Sequence, residues 1–179
     1  MTRYGMLIDT TRCVGCFACR VACQMQNSLP PHDSYIRYEE LESGTYPDVY
    51  AEQIPLQCQH CEDAPCVSVC PTGASYINKE GIVLVDKERC IGCKYCMTAC
   101  PYNARIQDHA TGEVEKCRFC VWHDDGSVPK PSCVDTCVTN ARIFGDLDDP
   151  ESEISRAIIA HNAKPIAPGL TKAKIYYVR

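Results

Sequence analysis

"CIGCKYCMTACP", residues 90–101, places four cysteines at the spacing C-x2-C-x2-C-x3-C and follows the last of them with a proline. In such a run three neighbouring thiolates bind one cubane iron–sulfur cluster, and the fourth cysteine binds the second cluster of a two-cluster unit. The proline ends the helix directly after the fourth cysteine, because it cannot continue the helical hydrogen-bond ladder. The stretch therefore predicts one half of a two-cluster iron–sulfur module.

The chain of 179 residues contains 16 cysteines, which form four groups of four with none left over. The groups are Cys13, Cys16, Cys19, Cys23; Cys58, Cys61, Cys66, Cys70; Cys90, Cys93, Cys96, Cys100; and Cys117, Cys120, Cys133, Cys137. The second group widens one gap to four residues, and the first has Gln24 where the proline would stand. The fourth group opens one gap into a long loop. Four groups in one chain predict two such modules.

Other uses of so many cysteines fit this sequence less well. A disulfide framework belongs to secreted chains, and the opening "MTRYGMLIDTTR" lacks the apolar run and cleavage site of a signal peptide. No apolar stretch approaches the roughly 20 residues of a membrane span, so we expect no direct span. Covalent haem requires C-x2-C-H, and the sequence does not contain it.

Zinc is the competing metal, because C-x2-C pairs closed by a second pair are common structural zinc sites. The fourth group, taken alone, fits zinc as well as it fits iron–sulfur. In the other groups a third cysteine follows closely, and zinc would leave one of those thiols unused. His60 lies inside a C-x2-C, but with four thiols available we interpret it as a neighbour and not a ligand. A zinc-stabilised interaction module is thus the alternative of another class.

Two internal repeats organise the chain. "GMLIDTTRCVGC" and "GIVLVDKERCIGC" each combine an apolar strand, an aspartate, a basic residue and a cysteine loop. "CPTGASYI", "CPYNARIQ" and "CVTNARIF" each lead from a last cysteine through a turn into a strand-like run. "FACRVACQMQ" and "KYCMTAC" have helical spacing. The repeats predict an α+β fold of two bacterial-ferredoxin-like two-cluster modules with extra loops and a C-terminal extension.

The order of the groups predicts one continuous module and one split module. The two middle groups are adjacent and pair within residues 54–110. The first and last groups must then pair across that insertion, as residues 1–23 plus 111–147. Residues 24–53, with Pro-Pro and "SGTYPD", read as a connecting loop segment. Residues 148–179 read as a short helix after Pro150 and an extended tail, a C-terminal extension for subunit contacts.

Charge and motif content exclude several functions. The formal net charge is -5, and no basic stripe for nucleic acid is visible. The sequence shows no nucleophile with a base, no open metal position and no phosphate loop, so we assign no catalytic residues and expect no enzyme activity from this chain alone. Gly15 and Gly92 are expected to let the loop backbone approach a cluster. Four cations near cysteines either raise cluster potentials or are solvated surface charges: Arg20, Lys94, Lys116 and Arg118.

The whole pattern resembles the iron–sulfur electron-transfer subunits of the complex bis-molybdopterin oxidoreductases of the dimethyl sulfoxide reductase family. The phrases "YGMLIDTTRCVGCFACRVACQMQN", "GTYPDVY", "PLQCQHCEDAPCVSVCPTGASY", "VLVDKERCIGCKYCMTACPYNAR" and "FGDLDDPESEIS" look most like the polysulfide and thiosulfate reductase branch. The resemblance covers nearly the whole chain. Tetrathionate, arsenate, nitrate and dimethyl sulfoxide reductases have a similar subunit.

The resemblance implies a ligand map in four sets. The first set is Cys13, Cys16, Cys19 and Cys137; the second is Cys23, Cys117, Cys120 and Cys133; the third is Cys58, Cys61, Cys66 and Cys100; the fourth is Cys70, Cys90, Cys93 and Cys96. The nitrate reductase branch has Trp at the position of Cys93 and a three-iron cluster there. Because this chain has cysteine, the resemblance implies four [4Fe-4S] clusters.

The resemblance also implies partners and a location. The chain would relay electrons between a membrane quinol/quinone subunit and a molybdopterin catalytic subunit, which alone holds the molybdenum or tungsten cofactor. The split module would face the molybdenum subunit and the continuous one the membrane side. The complex would sit at the membrane, on the periplasmic face after co-export with its catalytic subunit, with the cytoplasm as the alternative. An electron relay in a formate dehydrogenase or hydrogenase complex is the runner-up function.

Overall fold

The computed structural model describes residues 2–121 and 128–179, so residues 122–127 of the gap within the fourth cysteine group lie outside it. The helices are α1 (Ala18–Gln26), α2 (Pro65–Ser68), α3 (Tyr95–Thr98), α4 (Ser132–Asp135) and α5 (Glu153–Ala160). The strands are β1 (Tyr4–Asp9), β2 (Arg37–Thr45), β3 (Asp48–Leu56), β4 (Ser75–Ile77), β5 (Val83–Val85), β6 (Ile106–Gln107), β7 (Val114–Glu115), β8 (Arg142–Asp146) and β9 (Ile175–Val178). Short elements of both kinds alternate with cysteine loops, which confirms the α+β class.

One three-stranded sheet joins the two ends of the chain. β1 pairs antiparallel with β8, with Leu7 opposite Ile143, and parallel with β9, with Leu7 opposite Tyr176. Met6, Leu7 and Ile8 are all buried, as expected for a central strand covered on both faces. The strand before the first cysteine group therefore pairs with the strand after the last group.

Two small hairpins connect the remaining groups. β4 pairs antiparallel with β5, which joins the end of the second group to the start of the third. β6 pairs antiparallel with β7, which joins the third group to the fourth. The return strands predicted after Cys70, Cys100 and Cys137 are β4, β6 and β8.

Residues 24–53 contain more order than a connecting loop. α1 continues to Gln26, and β2 and β3 form a hairpin with Arg37 opposite Leu56. The turn predicted for "SGTYPD" is present: this stretch lies at the tip of the hairpin and contains the cis Tyr46–Pro47 bond. Most of β2 is exposed, so neither strand carries the alternating apolar pattern that reveals a strand in sequence.

The C-terminal segment packs into the molecule. The short helix expected after Pro150 is α5, capped by the Ser152 hydroxyl, which accepts a hydrogen bond from the Ser155 N–H. The tail differs from an extended surface segment, because β9 completes the sheet and Ile175 is fully buried. A small apolar core of Leu7, Ile154 and Ala163 holds α5 against that sheet.

No helix in the described part of the chain combines the length and the apolar character that crossing a membrane requires.

Candidate functional site: four cysteine sets

The first set of the ligand map surrounds one cavity. Cys13 follows β1 and Cys137 precedes β8, so the antiparallel pairing of these strands brings residues from both ends of the chain together. Cys16 and Cys19 complete the set. Tyr38 and Arg142 line the same cavity.

The second set also surrounds a cavity. Cys23 comes from the last part of α1, four residues after Cys19, and both side chains are buried on the same face of that helix. Cys133 lies on α4, which packs against α1. Cys117 and Cys120 complete the lining. One helix thus supplies cysteines to two neighbouring cavities, as the exchange of fourth cysteines predicts.

The fourth set surrounds a cavity as well. Cys70 precedes the hairpin of β4 and β5, and Cys90, Cys93 and Cys96 follow it. Arg105 and Ser75 lie in the same lining.

The cysteines of the third set lie within electrostatic reach of one another. Burial raises the pKa of the Cys61 thiol to about 11, and a hydrogen bond with Thr171 opposes that shift. Cys58, Cys66 and Cys100 raise the pKa further, because a second negative charge beside the first is unfavourable. The structure therefore brings together each of the four predicted sets.

The shape of these sets fits a cluster better than a single ion. Zinc–thiolate bonds are about 2.3 Å long, so four thiolates around one ion converge on a point. In the described ranges, no three His, Cys, Asp or Glu side chains converge in that way. The cysteines of the first, second and fourth sets instead stand around cavities, which matches a cubane whose four irons each take one thiolate.

The thiols differ in how readily they ionise. Burial, followed by the neighbouring Cys133 and Cys120, raises the pKa of Cys23 to about 12. Burial also acts on Cys70 and Cys137, but hydrogen bonds lower their pKa values below the usual range. The Ser75 N–H lies 3.4 Å from Cys70 Sγ, and the Ala141 N–H lies 3.2 Å from Cys137 Sγ. These donors favour the thiolate, which is the form that binds metal.

A tyrosine hydroxyl reaches the first set. Tyr38 Oη lies 2.8 Å from Cys19 Sγ, and the ring of Tyr38 packs against Phe17 with 4.4 Å between ring centroids. Once Cys19 is a thiolate, the hydroxyl must donate, because a thiolate has no proton to give. A hydrogen bond to ligand sulfur stabilises the more negative, reduced state of a bound cluster.

We expect Tyr38→Phe to lower the reduction potential of the cluster at the first set by about 20–60 mV, given that tenfold in a one-electron equilibrium is 59 mV. The matched control is Tyr35→Phe, because Tyr35 lines the second cavity but its hydroxyl donates to Glu115. Potentiometric titration followed by electron paramagnetic resonance measures both. A first-set potential that moves equally in the two variants would contradict the assignment.

Two buried arginines were not predicted as site residues. Arg105 and Arg142 are each 4% exposed, and each lines a cysteine cavity. The signal was present in the sequence, since both follow a last cysteine within the repeated tetrapeptide N-A-R-I. Among the cations that were predicted, Lys116 is buried, Arg20 and Arg118 are half-buried, and Lys94 is exposed.

The C-x2-C loops share a backbone conformation that explains their glycines. Gly15 and Gly92 have φ of 63° and 66°, and a Cβ on Gly92 would lie 2.6 Å from the Gly112 carbonyl oxygen. At the same position the second and fourth groups have His60 and Phe119, with φ of 44° and 53°. A positive φ is unfavourable for a residue with a side chain, so these two positions carry backbone strain.

His60 and Phe119 join the two inner cysteine loops. Both are fully buried, and their rings stack with 3.8 Å between centroids. His60 Nδ1 accepts a hydrogen bond from the Val83 N–H at 3.2 Å. This stack is one contact between the loop of the third set and the loop of the second set.

The outer sets reach the surface. Cys16 of the first set and Cys93 of the fourth set are the exposed cysteines, while most cysteines of the second and third sets are buried. Exposed apolar side chains flank both, with Val14 65% exposed and Ile91 67% exposed. These two residues occupy the same position in the C-[VI]-G-C repeat.

Comparison with known proteins gives one family. Two family descriptions, both "4Fe-4S dicluster domain", match residues 49–147 and residues 12–75. The chain is 47% identical to the thiosulfate reductase electron transfer subunit of Salmonella typhi, covering 86% of this chain and 80% of that one. It is 41% identical to the B component of polysulfide reductase from Wolinella succinogenes, covering 98% and 94%. It is 36% identical to the arsenate respiratory reductase iron–sulfur subunit of a Shewanella species, covering 99% and 96%.

These matches confirm the predicted fold and the resemblance, and they set aside the zinc module. The cysteine groups, the paired strands and the family matches agree on several [4Fe-4S] clusters in one chain. The chain belongs to the 4Fe-4S dicluster family of iron–sulfur electron-transfer subunits of dimethyl sulfoxide reductase-type complexes.

Proposed function

We propose that the four cysteine sets hold four [4Fe-4S] clusters in a line, and that the chain relays single electrons along it. Each bound cluster would supply a one-electron carrier, and the chain supplies ligands, spacing and charge. The first and second sets belong to the split module, residues 1–23 plus 111–147. The third and fourth sets belong to the continuous module, residues 54–110.

Electrostatic interactions between successive sets support this order. Cys19 of the first set contributes to the raised pKa of Cys23 in the second. After burial and its own set, Cys58 of the third set contributes to the raised pKa of Cys117 in the second. Cys66 of the third set contributes in the same way to Cys96 of the fourth. Each set thus lies within electrostatic reach of the next.

The observation that carries the proposal is the exposure at the two ends of this line. The inner sets are mostly shielded from water, whereas Cys16 and Cys93 open to the surface among apolar side chains. An electron carrier needs close approach only where it meets its partners. Burial elsewhere keeps the inner clusters from water and other reactants.

The relatives suggest what meets the two ends. Their names describe subunits of thiosulfate, polysulfide and arsenate reductases. We propose a molybdopterin catalytic subunit, holding molybdenum or tungsten, at the first set, and a membrane quinone-binding subunit at the fourth. The chain would then be held at the membrane through its partners, on the periplasmic face if the complex is exported. The substrate class that these relatives favour is a polysulfide or an oxyanion of sulfur or arsenic.

Metal analysis of the chain purified without oxygen, with its co-purifying subunits, tests the cluster content. We expect about sixteen iron and sixteen acid-labile sulfide per chain, since each of four cubanes holds four of each. Zinc should be substoichiometric, and molybdenum or tungsten should be found in the partner subunit.

The same preparation separates the alternatives. About fifteen iron with a three-iron signal would contradict four cubanes but keep an electron relay. Zinc without sulfide would overturn the proposed function altogether. A brown protein whose partner contains neither molybdenum nor tungsten would keep the clusters and reject the proposed complex.

A further inference from the structure

Arg105 and Arg142 occupy equivalent places in the two modules. Each follows the last cysteine of its group at the same distance in N-A-R-I, and each stands at the start of a return strand, next to β6 or within β8. Their burial is the same, at 4% exposed. A repeated buried cation is unusual, because burying an unpaired charge is strongly unfavourable.

Arg142 lies between the first and second sets. It lines the first cavity, and its Nη1 lies 3.9 Å from Cys133 Sγ of the second. Its other contacts are neutral: Nη1 donates to Gln57 Oε1 at 2.9 Å and lies 3.4 Å from Met6 Sδ. Burial opposes the charge, but the thiols of Cys133 and Cys19 raise the pKa of Arg142 above its usual range.

Arg105 lies between the third and fourth sets in the same way. It lines the fourth cavity, and its Nη2 donates to Ser75 Oγ at 2.8 Å. Burial opposes its charge too, while Cys66 of the third set and Cys96 of the fourth raise its pKa.

Both guanidinium groups have an N–H that can still donate a hydrogen bond. Arg105 Nη1 and Arg142 Nη2 are buried without a hydrogen-bond partner among the described residues. The ion pairs found in residues 2–121 and 128–179 also leave both arginines out. A buried N–H without a partner is rare in folded proteins, so an acceptor is expected at each position. The cysteine thiolates make the surroundings of both arginines anionic, and their sulfur atoms can accept these hydrogen bonds.

We propose that Arg105 and Arg142 set reduction potentials, each raising the potentials of both clusters in its own module through one shared positive charge. This inference rests on the proposed function. Each electron that a cluster accepts adds one negative charge beside a fixed cation, which favours the reduced state. An arginine keeps its charge at any physiological pH, so the effect does not depend on titration.

Arg142→Gln and Arg105→Gln test the proposal in the purified complex, and each variant is the control for the other. At a fixed ambient potential, we expect Arg142→Gln to lower the reduced-to-oxidised ratio of the first- and second-set clusters by about tenfold. The third- and fourth-set clusters should keep their wild-type ratios. Arg105→Gln should give the reverse pattern. Redox titration followed by electron paramagnetic resonance reads the clusters out.

Removing a buried arginine can by itself cause loss of clusters, so a second variant keeps Arg142 in place. Gln57→Glu places a carboxylate on Arg142 and neutralises its charge while keeping the guanidinium in place. Gln57→Glu should lower the reduced-to-oxidised ratios of the first- and second-set clusters, as Arg142→Gln does. Arg142→Lys keeps the positive charge and should lower these ratios less than Arg142→Gln.

The results distinguish the inference from the function it rests on. If Arg142→Gln still contains its clusters and their potentials are unchanged, the inference is overturned. If only Gln57→Glu retains its clusters, unchanged potentials in that variant overturn it. Equal shifts in all four clusters would also overturn it, because the effect would not be confined to a module. If the wild-type chain contains no sulfide, the proposed function itself fails.

Discussion

Cys137→Ser is expected to remove one cluster and to destabilise the chain by about 2–4 kcal/mol, the range for losing one covalent cross-link. The other members of its set, Cys13, Cys16 and Cys19, all lie on one short stretch beside β1. Even where these three cysteines still bind metal, that metal no longer cross-links the stretch to β8. The loss is large because a cross-link between distant residues restricts the unfolded chain strongly.

Cys93→Ser is the matched comparison, because it makes the same chemical change in an exposed member of the fourth set. We expect loss or conversion of one cluster while the others persist. Cys70 can still be joined to Cys90 and Cys96 through a three-iron cluster, so the loss of stability should stay within about 1 kcal/mol. Iron content and denaturant unfolding measure both variants. Equal destabilisation by the two variants would show that the cross-link through Cys137, between the stretch after β1 and β8, contributes no extra stability.

Removal of iron is expected to unfold most of the chain. Half of the sixteen cysteines are buried, so the core is built around the positions of the thiols. The helices α2, α3 and α4 have four residues each and β6 and β7 only two, far below what is stable alone. Cluster binding energy is therefore folding energy, as in other small metal-dependent domains.

Hydrogen exchange after chelation under reducing conditions measures this dependence. Protection should disappear across the second and third cysteine groups and persist longest in β1, β9 and α5, where Leu7 and Ile154 form a separate apolar core. Restoring iron and sulfide should restore the original pattern, which is the control for irreversible damage. A chelated chain that keeps uniform protection would mean that side-chain packing alone sustains the fold.

Cysteine spacing predicted the chemistry and most of the architecture because a cluster imposes strict geometry on its ligands. The repeats also predicted β4, β6 and β8 correctly, since turn and strand follow each last cysteine. The β2–β3 hairpin was missed because its strands are largely exposed and lack an apolar alternation. β9 was missed because its burial comes from pairing with β1, far away in sequence.

The buried arginines show a different limit. In sequence, Arg105 and Arg142 look like ordinary surface cations, and single arginines usually are. Only the fold reveals that the start of each return strand points into a cysteine cavity. The repeat N-A-R-I was visible, but its meaning depended on contacts between distant parts of the chain. Lys94, by contrast, was considered as a potential-raising cation and lies exposed.

The pairing of β1 with β8 and β9 has a consequence for how the protein matures. β1 has no partner in this sheet until β8 and β9 have been made, since both lie after residue 141. The second and third cysteine groups, by contrast, are complete once residue 100 has been synthesised. Because domains generally fold as units during synthesis, the proposed continuous module would take up its clusters first. The proposed split module would close later, once β8 and β9 have been synthesised.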